Sequence, residues 1–393
     1  MRDLGSLGVI DPTRVLHPGS TLGILGGGQL GRMMAMAARE MGYHIRVLDP
    51  DAGCASRHVV EELKVARFDD VDSALDLATR CDVMTLEIEQ ISTDVLTALS
   101  QVLPVRPGAK ALGVIQDRIL QREFLDGAGL PVGPYRVATT KDELRAAVVA
   151  LGGDCFVKAA RGGYDGRAQF ETKSAEDAEP AWASLAGPNA MFRLLVEQAV
   201  PIQREISVLV ARSANGAVSV YPPAENHHIK RILAWSTIPA AISPALTEAA
   251  IEIGRHAATA LSVEGLLCVE LFETSQGLLV NELAPRPHNS YHASSIACDT
   301  SQFEQGVRAV CNLPHGSTSA RRPAAIANLL GELWAERPPR FDRALELPGV
   351  RIHLYGKNEA RKGRKMGHIS ACANTSEDAT TLVTTALSRL TEP

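Results

Sequence analysis

The sequence predicts an α/β domain at the N-terminus, followed by a region of α+β character and a small C-terminal domain. Short apolar runs such as TLGILG, YHIRVLD and CDVMTLEIE alternate with amphipathic stretches, which predicts βαβαβ order and a parallel sheet. From about residue 154, strand-like segments follow one another with only loops between them, which is typical of antiparallel pairing. The connection PVRPGAK separates the two regions, and Asp117 is expected to open a helix after it.

Composition and charge favour an ordinary globular enzyme. The chain has 393 residues, 45% of them hydrophobic, and a net charge of −5, which gives no support for nucleic acid or a membrane surface as partner. The longest apolar runs fall well short of the roughly 18 residues of a membrane span. Seven dispersed cysteines without a C-x-x-C pair indicate reduced thiols. Residues 1–20 lack the apolar core of a signal peptide, so we expect an N-terminal extension and a cytoplasmic location.

A first glycine-rich loop follows the first predicted strand. Gly26, Gly28 and Gly31 in GGGQLG satisfy the G-x-G-x-x-G pattern of a Rossmann-like domain, and Asp49 follows as the acidic residue for a ribose hydroxyl. Gln29 adds amide hydrogen bonds at the mouth of the loop. The loop therefore predicts either a dinucleotide site, a site for another phosphate compound, or a tight turn without a ligand.

A second glycine-rich loop is KAARGGYDGRAQF, residues 158–170. Lys158 ends a predicted strand, and Arg161 and Arg167 lie among the glycines that follow. A basic segment of this kind suits a lid over a polyphosphate, where cations offset the charge that develops during transfer. It is not a Walker A loop, because G-K-[ST] is missing. A surface hairpin explains the glycines, but not the cations that accompany them.

Paired acidic residues lie on the two strands of a predicted hairpin. Glu270 in CVELFE and Glu282 in VNELAP each stand between apolar neighbours, where an isolated carboxylate is costly to bury. Magnesium accounts for the pair, because it prefers carboxylate oxygens and takes its other ligands from water and phosphates. Two exposed hairpin residues are the alternative.

Two polar stretches follow. APRPHNSYHA contains Arg286, His288, Asn289 and His292 between stiffening prolines, and its position after Glu282 favours substrate binding over a structural role. The basic run YGKNEARKGRKMGH of the C-terminal domain is interpreted as a structured loop that clamps a phosphate, with a solvated surface as the alternative.

In this order, the segments resemble the ATP-grasp superfamily and, within it, the family of 5-(carboxyamino)imidazole ribonucleotide synthases of purine biosynthesis. The resemblance covers about residues 21–372 and rests on GILGGGQLGRM, TLEIE, VKAARGGYDGRAQ, VEQAV with Glu205, AENHH, NELAPRPHNS and YGKNEARKGRKMGH. It implies a Rossmann-like pre-ATP-grasp domain over 21–116, an ATP-grasp domain over 117–320 with a lid subdomain at about 150–200, a small C-terminal domain over 321–393, and a homodimer.

The resemblance also implies the reaction. Bicarbonate attacks the γ-phosphoryl group of ATP to give carboxyphosphate, and the amine of 5-aminoimidazole ribonucleotide is then carboxylated, with release of ADP and phosphate. Mg²⁺ and ATP are the implied cofactors. A formate-dependent glycinamide ribonucleotide formyltransferase shares the ATP site and is the nearest alternative. An NAD(P)-dependent oxidoreductase leaves Lys158 and the paired glutamates without a role. Loss of Glu270, Glu282 or Lys158 would favour a nucleotide-binding regulator without turnover, and all three residues are present.

Site residues are carried over from the family by position. The nucleotide is expected to contact Arg118, Lys158, Gly163, Tyr164, Asp165, Gly166, Arg167, Ala168, Gln169, Glu197, Gln198, Ala199, Val200, Glu205, His228, Asn281 and Glu282. The metal is expected on Glu270 and Glu282. The second substrate is expected near Gln29, Glu87, Tyr164, Asp165, Arg286, His288, Lys357 and Arg364. The catalytic residues are expected to be Asp165, Arg167, Arg286 and His288, with Asp165 accepting a proton from the amine or orienting it. Ala168 stands where the family commonly has glycine.

Overall fold

The first sheet of the protein is parallel, as its sequence predicts. The structure, a computed structural model, describes residues 11–162, 168–185 and 192–392. Its first strands are β1 (Thr21–Leu25), β2 (His44–Asp49), β3 (Glu62–Val65) and β4 (Val83–Leu86), in the order β3-β2-β1-β4. The helices between and after them are α1 (Gln29–Glu40), α2 (Val71–Ala78) and α3 (Thr93–Ser100). All three strand pairings are parallel, which confirms the predicted parallel sheet. The order of elements differs from the predicted βαβαβ, because the additional strand β3 follows β2 without a helix between them.

Two helices connect this sheet to the next region. They are α4 (Ala109–Gln116) and α5 (Arg118–Gly127). The sequence predicts only a connection where α4 lies; Ala111, Leu112 and Ile115 on one side of that helix are buried, and this tertiary packing favours the helix. Asp117 opens α5 as predicted, because its side chain accepts hydrogen bonds from the backbone N–H groups of Ile119 and Leu120.

A small antiparallel sheet with two helices follows. Its elements are β5 (Tyr135–Ala138), α6 (Lys141–Ala150), β6 (Cys155–Ala159), β7 (Gln169–Thr172), α7 (Ala178–Leu185) and β8 (Leu194–Gln198). The strand order is β5-β8-β6-β7. Helices α6 and α7 cover one face and share an apolar core with the strands, so Lys158 on β6 lies on a rigid element.

The largest sheet joins the rest of the chain. Its first elements are β9 (Arg204–Arg212), β10 (Val218–Val220), β11 (Ala224–Ile229), β12 (Ile232–Ile238), α8 (Pro244–Ala260), β13 (Gly265–Thr274), β14 (Gly277–Ala284), α9 (Ser294–Ala297) and α10 (Gln302–Val310). The C-terminal elements are β15 (Ala324–Leu330), α11 (Phe341–Leu345), β16 (Arg351–Leu354), β17 (Lys365–Cys372) and α12 (Ser376–Arg389). The order is β14-β13-β9-β11-β12-β15-β17-β16, with β10 beside β9.

Antiparallel pairing throughout this sheet confirms the predicted change of class. Strand β15 pairs with β12, so the C-terminal strands extend the sheet of the preceding region. The last helix is capped by Thr375, because the Thr375 hydroxyl accepts a hydrogen bond from the Asp378 N–H at 3.0 Å. The domain limits given above stay a prediction.

The part of the extension that the structure describes is held against both neighbouring regions. Leu16 is buried, and its carbonyl accepts a hydrogen bond from the Tyr43 hydroxyl at 2.6 Å. The buried guanidinium of Arg106 donates to the carbonyls of Pro12 and Val310 and pairs with Glu264 at 3.2 Å. Residues 11–16 therefore contribute to the contact between the parallel sheet and the large sheet. No helix in the described ranges is long and apolar enough to cross a membrane.

Candidate active site

The backbone donors of the first glycine loop are taken up by two carboxylates. The Gly27 N–H donates to Asp49 at 2.6 Å, while the N–H groups of Gly28 and Gly31 donate to the two oxygens of Glu87 at 2.8 and 3.0 Å. A carboxylate at the N-terminus of α1 satisfies the helix dipole where a dinucleotide would place its pyrophosphate. These N–H groups are therefore already paired, which disfavours the dinucleotide interpretation of this loop, and Asp49 supports the loop itself.

Side chains from both ends of the chain meet beside this loop. Gln29, the first residue of α1, accepts a hydrogen bond from the Lys357 ammonium at 2.8 Å, and Lys357 also donates to the Lys365 carbonyl at 2.9 Å. Burial, together with the nearby Arg364 charge, lowers the pKa of Lys357 to about 8. Burial raises the pKa of Glu87 to about 7 against the effect of its two glycine donors. Four predicted substrate residues thus lie in one place.

Arg286 connects this place to the predicted metal site. Its Nε lies 2.7 Å from a carboxylate oxygen of Glu89, and its charge also acts on Glu87 and Glu270. Glu89 was not predicted as a site residue, although it lies two positions after Glu87 in the quoted TLEIE segment. The guanidinium of Arg286 is mostly buried, so Glu89 supplies the counter-charge that keeps it in place.

The paired glutamates face each other in the hairpin, as predicted. Glu270 on β13 and Glu282 on β14 are direct register partners. His288 Nε2 lies 3.1 Å from Glu270, and this contact lowers the pKa of Glu270 although burial acts to raise it. The charge of the neighbouring Glu270 raises the pKa of Glu282. Glu270 is mostly buried, whereas Glu282 is open to solvent, so the apolar surroundings expected for both hold for Glu270 only.

The carboxylate pair fits a hard divalent cation. Two neighbouring carboxylates repel each other, which raises the pKa of Glu282, and a bound cation would offset that repulsion. Within the described ranges, no group of three or more His, Cys, Asp or Glu side chains forms a closed metal cage. A cation bound to this pair takes its remaining ligands from phosphates and water, which is the usual coordination of Mg²⁺.

Lys158 lies beside the pair in an ion-pair network. Its ammonium is 2.6 Å from Glu197, which Arg122 also contacts, and the Lys158 charge acts on Glu282. Arg122 donates further to the carbonyls of Val280 and Asn281 at 2.7 and 2.9 Å. The Glu197 carboxylate is therefore already paired with two cations of the protein. Arg122 was missed, because only the tertiary structure brings α5 against β14.

Glu205 and His228 form a second acid–base contact. Glu205 on β9 lies 2.6 Å from the Nδ1 atom of His228 on β11. Burial acts to lower the pKa of His228, but the close contact with Glu205 and its charge raise that pKa above its ordinary value. The charge of Glu270 also acts on His228, so this pair belongs to the same site.

Part of the predicted lid is described. Arg118 donates to the carbonyls of Ala159 and Gly162 at 2.9 and 2.6 Å, so it holds the beginning of the second glycine-rich loop. Ala168 has a φ of 55°, in the left-handed region that favours the glycine commonly found there. Gln169 is the register partner of Lys158. The other lid residues lie outside the described residues: Gly163, Tyr164, Asp165, Gly166 and Arg167.

The polar stretch after Glu282 divides into two kinds of residue. Asn289 is buried, and neither atom of its amide has a hydrogen-bond partner within the described part of the chain. His292 is buried between Phe303 and His368, and burial lowers its pKa to about 3, so it is a neutral core residue rather than a substrate contact. The substrate-binding role predicted for this stretch therefore stays a prediction for Asn289, whereas His292 belongs to the core.

Three family models match the chain in series. The ribonucleotide synthetase preATP-grasp domain matches residues 20–116, the ATP-grasp domain residues 123–303 and the phosphoribosylaminoimidazole carboxylase C-terminal domain residues 324–381. The N5-carboxyaminoimidazole ribonucleotide synthase of Bacillus subtilis (strain 168) is 40% identical over 360 residues, which are 91% of this chain and 92% of that protein. This chain belongs to the N5-carboxyaminoimidazole ribonucleotide synthase family.

Solved structures agree with this family assignment. The ADP complex of an N5-carboxyaminoimidazole ribonucleotide synthetase superposes with a TM-score of 0.89 at 40% identity, covering 95% of this chain and 98% of that one. The synthase from Aspergillus clavatus, in complex with ADP and 5-aminoimidazole ribonucleotide, gives a TM-score of 0.85 at 29% identity, with 95% and 98% coverage. The predicted ATP-grasp fold and ATP-dependent carboxylating ligase are confirmed, and the formyltransferase and oxidoreductase alternatives are not favoured.

Proposed function

We propose that this chain carboxylates the amine of 5-aminoimidazole ribonucleotide, using ATP and bicarbonate and releasing ADP and phosphate. The observation that carries the proposal is the Glu270–Glu282 pair, which has Lys158 near it on one side and His288 on the other. Phosphates and the carboxyl donor can therefore meet at one pair of carboxylates. The family of the chain and the nucleotides bound by its relatives support the same reaction.

ATP binding is assigned to the side of the site that contains β6, β8 and β9. Lys158 supplies a positive charge to the phosphates, and Arg118 positions the loop that follows it. Glu205 and His228, with the segment over residues 197–200, are the proposed contacts of the nucleoside. Glu270 and Glu282 would hold Mg²⁺, which when bound neutralises phosphate charge at the point of transfer.

Bicarbonate and the ribonucleotide are assigned to the opposite side. Arg286 provides donors for the bicarbonate oxygen atoms, one of which forms a bond to the γ-phosphorus as ADP leaves. His288 is proposed to act beside it through its contact with Glu270. Lys357 and Arg364 provide charge for the phosphate of the ribonucleotide, and Gln29 holds Lys357. The amine then attacks the carboxyl carbon, phosphate leaves and the amine loses a proton.

The remaining assignments extend the resemblance. Asp165 is proposed to accept that proton and Arg167 to stabilise charge on the transferred group, although both lie outside the described residues. Glu87 is proposed near the ribonucleotide, and Tyr164 beside it. The chain is further proposed to act in the cytoplasm, which its seven free cysteines support, and as a homodimer, which the resemblance implies.

Phosphate release from ATP tests the reaction. With Mg²⁺ and bicarbonate fixed, we expect strong stimulation by 5-aminoimidazole ribonucleotide, and its loss in Glu282→Ala. Glu252→Ala is the matched control, because Glu252 is an exposed glutamate on α8 whose side chain is 73% accessible. Turnover with glycinamide ribonucleotide and formate instead would transfer the assignment to formyl transfer. Absence of stimulation by either ribonucleotide would contradict both proposals.

A further inference from the structure

A buried amide at the start of α10 binds the backbone of His288. Gln302 has no exposed surface, and its Oε1 accepts from the His288 N–H at 2.8 Å. Its Nε2 donates to the His288 carbonyl at 2.9 Å. The His288 backbone is extended, with φ of −120° and ψ of 144°, so the amide pairs with it as a residue of a neighbouring strand does.

The orientation of this amide is determined by its partners. The His288 N–H can only donate and its carbonyl can only accept, so the oxygen of Gln302 faces the former and the nitrogen the latter. The side-chain Nε2 of Gln302 also faces Nδ1 of His292 at 3.4 Å. The backbone N–H of Gln302 donates to the Ser294 hydroxyl at 3.0 Å. Every polar group of the side chain therefore serves to hold residues 288–294 in place.

What Gln302 holds is the histidine that contacts Glu270. The His288 ring places Nε2 at 3.1 Å from Glu270 and Nδ1 at 2.8 Å from the Ser290 hydroxyl. The ring has contacts at both nitrogens, but its distance from Glu270 depends on where the backbone of residue 288 lies. A displacement of about 1 Å at such a site costs on the order of a hundredfold in rate.

We propose that Gln302 is a positioning residue for the reaction, which sets the His288 imidazole against Glu270 by fixing the His288 backbone. The proposal rests on the function assigned above. Gln302 lies outside the contacts proposed for ATP, bicarbonate and ribonucleotide, and it acts only through His288.

The same helix provides a matched control. Gln305 is also without exposed surface, and it makes the same pair of bonds to a backbone: its Oε1 accepts from the Gly316 N–H at 2.9 Å, and its Nε2 donates to the Gly316 carbonyl at 3.1 Å. Gly316 belongs to a loop that contains none of the site residues. Gln302→Leu and Gln305→Leu therefore remove the same two hydrogen bonds from the same helix, and they differ in which backbone is released.

The experiment compares the two variants in ribonucleotide-stimulated phosphate release. Both are expected to lower the melting temperature by similar amounts. Gln302→Leu is expected to lower kcat by roughly tenfold to a hundredfold, whereas Gln305→Leu stays within about twofold of the parent. In a His288→Ala background, Gln302→Leu is expected to lower kcat no further, because two residues acting through one group are not additive.

Equal losses of kcat in the two leucine variants would overturn the proposal, as would an undiminished effect of Gln302→Leu in the His288→Ala background. If the assigned function is wrong, the unmodified protein itself will show no phosphate release stimulated by 5-aminoimidazole ribonucleotide, which distinguishes that failure from a failure of the positioning role. In that case crystal structures of the two variants decide: the distance from His288 Nε2 to Glu270 is expected to exceed hydrogen-bond range in Gln302→Leu only. An unchanged distance contradicts the positioning role.

Discussion

Glu87 makes the stability of the protein depend on pH in a way that one substitution tests. Its side chain is 6% exposed and accepts hydrogen bonds from the N–H groups of Gly28 and Gly31. Burial raises its pKa to about 7, from an ordinary value of 4.5. We expect Glu87→Gln to remove a fall in stability that the unmodified protein shows as pH rises.

The sign and size follow from proton linkage. Between pH 4.5 and pH 7 the folded state keeps a proton on Glu87 that the unfolded state has released, so raising the pH favours unfolding. The stabilisation is complete below the unfolded pKa and is lost as pH passes through the folded pKa. At about 1.4 kcal/mol per pH unit, the loss amounts to roughly 3 kcal/mol. Glutamine does not titrate, but its NH₂ group cannot accept from one of the two glycines, which costs about 1–3 kcal/mol at every pH.

The assay is urea unfolding at a series of pH values from 5 to 8. The variant is expected to be the less stable protein at pH 5, and the gap is expected to close by about 3 kcal/mol by pH 8. Asp76→Asn is the control, because the pKa of Asp76 is about 2, so that it stays ionised throughout this range. Stability curves of Glu87→Gln and the parent that run parallel from pH 5 to 8 would refute the reasoning.

Three further predictions concern binding and packing. Lys158→Met is expected to lower kcat/KM for ATP by about a hundredfold and to abolish stabilisation by MgADP in a thermal shift assay. Because Arg122 still pairs with Glu197 in this variant, the melting temperature without ligand is expected to change little. A large drop in that melting temperature would contradict a role of Lys158 in nucleotide binding alone. The KM for 5-aminoimidazole ribonucleotide is expected to rise by up to about tenfold from pH 8 to pH 9, because Lys357 loses its proton. In Lys357→Arg this KM is expected to stay constant over the same range. Equal pH profiles of KM in the parent and the variant would exclude Lys357 as the phosphate contact. Gly331→Ala places a Cβ 2.1 Å from the Arg361 carbonyl oxygen, and we expect it to lower the free energy of unfolding by about 1–3 kcal/mol. Gly127→Ala is the control, because a Cβ at Gly127 meets nothing within 4 Å. Equal melting temperatures of the two variants would contradict the close approach at Gly331.

Features that depend on neighbouring residues could be predicted from the sequence. The alternation of apolar runs and amphipathic helices predicts the parallel sheet, and Asp117 identifies the start of α5, because helix periodicity and N-caps act within a few residues. The pairing of Glu270 with Glu282 could also be predicted from the local sequence, because a hairpin places residues of its two strands opposite each other. The family could also be predicted from the sequence, because its short motifs follow one another along the chain in a fixed order.

The tertiary structure alone decided which groups complete the site. Lys357 reaches Gln29 across 328 positions of the chain, and Glu87 binds the glycine loop from 56 and 59 positions away. Gln302 supports His288 from another element. Such pairs depend on the packing of separate elements, which leaves no periodic trace in the sequence. The first glycine-rich loop is an example. Its glycine spacing is compatible with a dinucleotide, but in the folded protein the Glu87 side chain accepts the hydrogen bonds of the Gly28 and Gly31 N–H groups that a pyrophosphate would need.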